Sequence, residues 1–279
     1  MNRDYMLVIP ILFPVVCGLI IGLLNRFDAS KNGWRINVIL SAAAEAVFTF
    51  LCFRRDMSYT LWSLNDRIDI VFKVDELSRI FMGLAVVLWL LVGIYACDYM
   101  KEDEHRRRFF AFYLCTEGMI AGIGFAGNIL TFYMFFELMT MLTFPLVMHD
   151  ATREAIMAGL KYLFYSVAGA FLTLLGIFML TPYGILSDFK PGGALDVAAI
   201  MEHREMFLIL AMCMIIGLGT KAGMFPMHSW LPAAHPEAPA PASAVLSGVI
   251  TKTGVIGIIR IVYYLTGPRL LAGTWVQGT

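Results

Sequence analysis

Several ionisable side chains of this 279-residue sequence lie inside long apolar stretches, where charge is costly. Each such group costs about 2.5–3.5 kcal/mol at the centre of a membrane helix. Six independent charges would cost about 15–20 kcal/mol, more than the stability of a typical domain, so they must be paired, hydrated or neutral. The six residues are Glu45, Glu117, Glu137, Lys161, Lys221 and Lys252.

Three of these residues, Glu137, Lys221 and Lys252, lie deepest in their stretches and have types suited to moving protons. Burial disfavours the charged form of a lysine, whereas a nearby carboxylate favours it. Movement of a partner charge can therefore make a buried lysine take up or release a proton, which is the chemistry of a relay. We interpret these three residues as candidates for proton or ion translocation.

The remaining candidates also have a structural interpretation. Glu45 and Lys161 lie nearer the ends of their stretches, where a side chain can pair with a neighbour or extend to water, and Glu117 fits either interpretation. His228 and His235 are seven residues apart and would share a helix face, but they lack nearby acidic or cysteine ligands. We therefore expect interfacial packing, hydrogen bonding or a relay role for them, and no metal site.

The composition is that of an integral membrane protein. Of all residues, 59% are hydrophobic and only 15% are charged, and the mean hydropathy is +0.74. The 21 basic residues balance the 21 acidic ones, and most of the basic residues lie in short loops and not in one block, which argues against nucleic-acid binding. The five cysteines are widely separated and mostly lie in apolar runs, so we interpret them as buried thiols.

Eight stretches are long and apolar enough to be membrane helices. A hydrocarbon core of ~30 Å needs roughly 20 apolar residues, and a helix satisfies its own backbone groups in lipid. We expect an all-α fold of about eight transmembrane helices in the cell (inner) membrane. The stretches are Tyr5–Leu24, Ile36–Phe53, Asp75–Cys97, Phe109–Ala126, Ile129–Met148, Ala155–Leu180, Met206–Ala234 and Ser243–Leu265.

The seventh stretch is too long for one straight helix across a bilayer. At 1.5 Å per residue its roughly 30 residues would extend about 45 Å. Gly219, Gly223 and Pro226 surround Lys221, and proline cannot donate the hydrogen bond of a continuous helix. The sequence predicts a discontinuous seventh helix, a feature that commonly marks ion sites in transporters.

The connection between the second and third stretches predicts a small β-hairpin outside the membrane. Apolar residues alternate with polar ones there, and Asn65 and Asp66 are suited to a turn. The loops contain no nucleophile, metal or nucleotide motif, so a free-standing enzyme is disfavoured. The alternating residues are Tyr59, Leu61, Ile68, Ile70 and Phe72.

The segment from Gly219 to Pro232, which reads GTKAGMFPMHSWLP, and its continuation to Lys252 carry a resemblance to a known family. They resemble the antiporter-like subunits of respiratory complex I, Mrp-type cation/proton antiporters and membrane-bound energy-converting hydrogenases. Glu137 resembles the family's glutamate in the fifth helix, Lys221 its lysine in the broken seventh helix, and Lys252 its lysine in the eighth. Two shorter patterns also match: Lys161-Tyr162-Leu163 in the sixth helix and Val74-Asp75-Glu76-Leu77-Ser78 at the start of the third.

The resemblance implies an organisation into three parts. Residues 1–108 would form three leading transmembrane helices with the hairpin loop, residues 109–266 a five-helix antiporter-like repeat, and residues 267–279 a C-terminal tail. Family members have about fourteen helices with two inverted repeats. A complete ion path would therefore need another chain, including a second antiporter-like half.

The resemblance also implies a function without a catalytic centre or cofactor of its own. The expected role is proton (or sodium) translocation within a multi-subunit redox-driven membrane complex. An Mrp-type antiporter subunit and a non-conducting structural anchor are the alternatives. The residues expected to act in translocation are Glu137, Lys221, Lys252, Lys161, Glu117 and His228.

Overall fold

A computed structural model describes residues 3–23, 33–65, 68–195 and 197–278, which are mostly helical. The helices are α1 (Ile9–Leu23), α2 (Gly33–Cys52), α3 (Glu76–Tyr99), α4 (Arg106–Gly124), α5 (Ile129–Val147), α6 (Arg153–Leu180), α7 (Val197–Glu202), α8 (Arg204–Ala222), α9 (Leu231–Glu237), α10 (Ala240–Val245), α11 (Thr251–Ile259) and α12 (Pro268–Leu271). Short 3₁₀ segments cover Arg3–Val8, Thr181–Tyr183 and Trp275–Gly278.

Seven described segments are long and apolar enough to cross a membrane, and the predicted all-α membrane fold is confirmed. They are Asp4–Leu23, Gly33–Cys52, Glu76–Tyr99, Ile129–Val147, Arg153–Tyr183, Arg204–Ala222 and Ala240–Leu265. The remaining predicted span corresponds to α4, whose 19 residues include three arginines and Glu117. Almost all of α4 is buried, because α1 packs along one side of it and α5 along another. Its faces therefore meet protein, which tolerates a less apolar sequence than lipid does.

The predicted hairpin is present. Strand β1 (Ser58–Asn65) pairs antiparallel with β2 (Ile68–Lys73), with Tyr59 opposite Phe72 and irregular register on either side of Trp62. Asn65 ends β1, while Asp66 lies outside the described residues. The hairpin is therefore a two-stranded antiparallel ribbon with two irregularities in its register, and the alternating pattern predicted the pairing.

The hairpin is tied to the junction between α4 and α5 by backbone hydrogen bonds. The Lys73 amide donates to the Phe125 carbonyl over 2.7 Å, and the Gly127 amide donates to the Val71 carbonyl over 2.8 Å. The Thr131 hydroxyl accepts from the Val71 amide at 2.9 Å. These bonds fix the hairpin at the start of α5.

The seventh predicted span is discontinuous, as expected. Helix α8 ends at Ala222, and Gly223 has a φ of 79°. This is a left-handed backbone conformation that residues other than glycine rarely adopt. The Met224 amide donates to Gly219 O at 2.8 Å and the Gly223 amide to Thr220 O at 3.2 Å, which is a Schellman cap. The next helix, α9, begins only at Leu231, and Pro226 lies in the turn between the two helices. Gly219 contributes to the break because its carbonyl accepts one of the capping hydrogen bonds.

The last span begins at Ala240 and is not a uniform α-helix. Two π-helical segments, Leu246–Ile250 and Arg260–Leu265, flank α11. Such segments carry wider turns and occur frequently at functional sites. Nothing in the sequence pattern predicted them.

Candidate functional site

The side-chain nitrogen of Lys221 is enclosed by hydroxyl groups from two neighbouring helices. Lys221 is 1% exposed and lies in the last turn of α8. Its Nζ donates to Tyr162 OH at 2.7 Å, Thr140 Oγ1 at 2.8 Å and Ser166 Oγ at 3.1 Å. An ammonium group has three donors, so these three acceptors satisfy it completely without a contacting carboxylate.

Aromatic faces complete the surroundings of this ammonium group. Lys221 Nζ lies 4.3 Å from the ring centroid of Tyr162 and 5.7 Å from that of Phe136. Cations are attracted to such faces within about 6 Å. Hydroxyl oxygens and ring faces together therefore offset part of the cost of burying a positive charge on Lys221.

The hydroxyl of Thr140 is oriented by its own helix. It donates to the Phe136 carbonyl at 3.0 Å, which leaves its lone pairs free to accept from Lys221. Thr143, one turn further along α5, donates to the Met139 carbonyl at 2.9 Å and also contacts the Tyr162 hydroxyl. The result is a connected row of hydroxyl groups between α5 and α6.

Two glycines bring α6 and α8 close enough for these bonds to form. A Cβ atom on Gly169 would lie 2.5 Å from the Gly217 carbonyl oxygen, and one on Gly217 would lie 2.4 Å from the Gly169 oxygen. Small residues at facing positions are the usual means of close helix approach in membranes. This contact lies about one turn from both Ser166 and Lys221 along their helices.

The segment after the helix break folds back over the end of α8. The indole of Trp230 is fully buried and donates to the Thr220 carbonyl at 2.8 Å. Its ring lies 5.1 Å from that of Tyr162, measured between centroids. Trp230 therefore covers the carbonyl end of α8 next to Lys221.

Glu137 lies on α5 close to Thr140 but does not contact Lys221. Among the described residues Glu137 forms no ion pair within 4.0 Å, and its buried Oε1 has no hydrogen-bond partner there. The charges of Glu137 and Lys221 still act on each other across the gap. The structure thus brings these two predicted residues into one site without a direct ion pair.

Lys252 faces away from this site. Its side chain is exposed, and its Nζ donates to the Ser247 carbonyl at 2.8 Å and lies 3.4 Å from Thr251 Oγ1. Ser247 belongs to the first π-helical segment. Within the described part of the chain, no hydrogen bond links Lys252 to Lys221.

The other predicted residues also lie apart from Lys221. Lys161 is exposed on α6 and lines a surface cavity together with Pro232 and Glu237 of α9. Its neighbour Tyr162 is buried. His228 is exposed in the turn after the break. Glu117 is buried in α4. In the portion of the chain that is described, no three acidic, histidine or cysteine side chains come together as metal ligands.

Comparison with known proteins assigns the chain to a family. The profile described as "NADH:quinone oxidoreductase/Mrp antiporter, TM" matches residues 126–276, which are more than half of the chain. The chain belongs to this family. A second profile, described as "NADH-Ubiquinone oxidoreductase (complex I), chain 5 N-terminus", matches residues 63–110. The antiporter-family match includes Glu137, Lys221 and Lys252, and the chain is a multi-pass membrane protein.

Relatives come from three kinds of complex. Hydrogenase-4 component B of Escherichia coli (strain K12) is 31% identical over 211 residues, which are 74% of this chain and 30% of that protein. A Na(+)/H(+) antiporter subunit of Bacillus subtilis (strain 168) is 23% identical and matches 91% of this chain and 52% of its own length. The chloroplastic NAD(P)H-quinone oxidoreductase subunit 5 of Acorus calamus is 29% identical and matches 94% of this chain and 38% of its own length. The chain thus spans between about a third and a half of these antiporter-family relatives.

A solved structure has the same fold. A chain of the membrane-bound sulfane sulfur reductase, an archaeal respiratory membrane complex, superposes with a TM-score of 0.70. The superposition covers 92% of this chain and 40% of that one, at 23% identity. The arrangement of helices is therefore shared with a chain of that complex, at an identity that shows the fold alone.

Sequence reasoning missed the hydroxyl groups that hold Lys221. Thr140, Thr143 and Ser166 were not singled out, and Tyr162 was noted only as part of a family pattern. A signal did exist, because Thr140 with Thr143, and Tyr162 with Ser166, are three or four residues apart within apolar helices. Hydroxyl residues at that spacing on two helices indicate a polar face inside the bundle.

Proposed function

We propose that this chain is a proton-translocating subunit of a multi-subunit membrane complex in the inner cell membrane, and that Lys221 takes up and releases the proton. The observation that carries the proposal is the fully buried lysine at a helix break, bonded to three hydroxyls and near a glutamate. Membership in the antiporter family supports the same role. The translocating unit would be the five-helix repeat of residues 109–266.

The proposed step depends on Glu137. When Glu137 is ionised, its negative charge favours the ammonium form of Lys221, and when it is neutral that support is lost. Lys221 then releases its proton more readily, while the hydroxyl groups of Tyr162, Thr140 and Ser166 hold its amine in place. Glu137 would thus control the charge of Lys221 from a distance, without an ion pair.

A proton fits this site better than a sodium ion. The ammonium of Lys221 uses the three hydroxyl oxygens that a sodium ion would need, and its positive charge repels a second cation. Sodium–proton antiport, suggested by the Bacillus relative, would need sodium to bind elsewhere in the complex. The proton is therefore the ion we assign to Lys221.

Lys252 would pass the proton out of this unit. Its exposed amine in a membrane-spanning segment must be covered by other protein or by water, since lipid solvates it poorly. We assign that cover to another antiporter-like half or another membrane subunit.

Proton uptake by vesicles containing the whole complex tests the proposal. Lys221→Arg keeps the positive charge but cannot release a proton, and Glu137→Ala removes the controlling charge. We expect both variants to assemble and to lose most of the uptake. Lys101→Arg, in an exposed loop, is the matched control and should retain it.

Normal uptake by correctly assembled Lys221→Arg and Glu137→Ala complexes would overturn the proposal. It would favour the structural-anchor role instead. Uptake that follows sodium and not protons in the unaltered complex would favour the antiporter alternative.

A further inference from the structure

A second group of buried ionisable side chains lies among α1, α2 and α4, apart from Lys221. Glu45 on α2 is 0% exposed and Glu117 on α4 is 3% exposed. Helix α2 packs against both α1 and α4, so the two carboxyl groups enter one interior. Neither carboxyl group forms an ion pair within the described ranges of the chain.

The two carboxyl groups have different hydrogen-bond surroundings. The Thr49 hydroxyl lies 3.1 Å and 3.2 Å from the two oxygens of Glu45 and donates to that carboxyl group. Both oxygens of Glu117 are buried, and the described residues offer them no hydrogen-bond partner. The Thr49 hydroxyl therefore offsets part of the cost of burying the Glu45 carboxyl group, and no group among the described residues does so for Glu117.

The polar groups nearest to Glu117 are committed elsewhere. The Tyr113 hydroxyl, one turn before Glu117, donates to the Trp89 carbonyl at 2.6 Å. Cys17 of α1 faces Glu117 as a further titratable group, and a thiol is only a weak donor. The charged group that acts most strongly on Glu117 is Glu45, which has the same sign.

We propose that Glu117 holds a proton inside the membrane, in the same interior as the second buried carboxyl group, that of Glu45. Among the described residues, two ionised carboxylates here would each lack a cation, and Glu117 would also lack a donor. A proton on Glu117 removes that charge, so a buried carboxyl group without a donor no longer has to carry it. This proton site is separate from Lys221 and does not rest on the proposed function.

Infrared spectroscopy of the purified full-length chain in its complex tests the site. A protonated carboxyl group has a carbonyl band distinct from the bands of carboxylates. At neutral pH we expect one such band to disappear in Glu117→Gln, which keeps the shape of the side chain. In Glu45→Gln the Glu117 band should remain, because Glu117 still has neither a donor nor a cation among the described residues. Glu102→Gln, an exposed loop residue, should leave the spectrum unchanged.

Two results would overturn the proposal. Identical carbonyl bands in the unaltered protein and in Glu117→Gln would show that Glu117 is ionised. A band that is lost when sodium chloride replaces choline chloride would show that the pair binds a metal cation in place of a proton. The sodium comparison uses the unaltered protein, so it remains decisive if a glutamine variant fails to fold.

Discussion

The side-chain nitrogen of Lys221 lies 2.7 Å from the phenolic oxygen of Tyr162, although the two residues are 59 positions apart in sequence. The bond joins the end of α8 to the middle of α6. It also places the lysine over the tyrosine ring at 4.3 Å. One side chain thus supplies both a hydroxyl acceptor and an aromatic face to the same ammonium group.

Tyr162→Phe should separate these two contributions. The ring remains, but the Lys221 ammonium loses one of three acceptors, at a cost of about 1–3 kcal/mol for a buried charged donor. We expect proton uptake by vesicles to fall roughly tenfold, with assembly preserved. Tyr165→Phe removes a hydroxyl from the same helix that bonds only to Ser229 in the described structure, and it should have little effect. Equal uptake by the two variants would count against the Lys221 site.

Gly169→Val should weaken the contact between α6 and α8. The added carbon atoms would overlap the Gly217 carbonyl oxygen, and overpacking of this kind costs about 1–3 kcal/mol or more. We expect a lower unfolding temperature of the detergent-purified protein and loss of proton uptake. Gly83→Ala is the control, because its Cβ would meet Phe53 at an ordinary 3.7 Å. A stable and active Gly169→Val protein would contradict the close approach of these helices.

Asp75 should make stability depend on acid pH. Burial alone would raise the pKa of Asp75, but hydrogen bonds and charge from Arg260, together with Ser78, outweigh it and hold the pKa below its ordinary value. A carboxyl group with a depressed folded-state pKa stabilises the fold above its unfolded pKa of about 3.9. That contribution is lost as the pH falls through the lower, folded-state pKa.

The Asp75→Asn variant measures this contribution. Arg260 is 1% exposed and donates to both Asp75 oxygens, so removing the carboxylate leaves a buried charge unpaired, at a cost of about 3–5 kcal/mol. We expect a lower unfolding temperature at neutral pH and a difference from the unaltered protein that narrows in strong acid. Asp98→Asn, whose partner Arg35 is more exposed, should change little. A difference independent of pH would refute the assignment.

Gly223→Ala tests the helix break itself. The backbone at this position has a φ of 79°, and a Cβ would lie 2.2 Å from a Leu231 methyl group. We expect the alanine to destabilise the segment that covers Lys221 and to reduce proton uptake. Gly248→Ala is the control, because a Cβ atom at Gly248 would lie 3.9 Å from a Leu88 methyl group, an ordinary van der Waals distance. Protection of the Trp230 region from proteolysis would report the change, and unchanged protection would argue that the cap is dispensable.

The sequence predicted the hairpin and the helix break correctly. Alternation around Asn65 predicted the hairpin, and glycines with Pro226 predicted the break, because both depend on a few neighbouring residues. A helix over α4 was also predicted, although its arginines and Glu117 lower its hydropathy and it is not among the seven described segments apolar enough to cross a membrane. Its length and apolar residues were sufficient to indicate it.

The direction of side chains was harder to predict. Lys161 and Tyr162 are adjacent, yet one is exposed and the other buried, since neighbouring residues on a helix point about 100° apart. Lys252 was expected deep in the bundle, but the π-helical segment before it changes the helical phase. Which hydroxyls meet Lys221 depends on how α5, α6 and α8 pack, and a single sequence does not contain that information directly.

Ending α8 at Ala222 has an electrostatic consequence for Lys221. The aligned peptide dipoles of a helix give its C-terminal end a partial negative charge, which favours a cation in the last turn by about 0.3–1 kcal/mol, and up to ~2 kcal/mol when partly buried. Lys221 occupies that last turn. A continuous helix would carry this partial charge many residues further on. The break therefore places the partial negative charge of backbone carbonyl groups at the turn that contains Lys221. This partial charge stays the same when Glu137 gains or loses a proton.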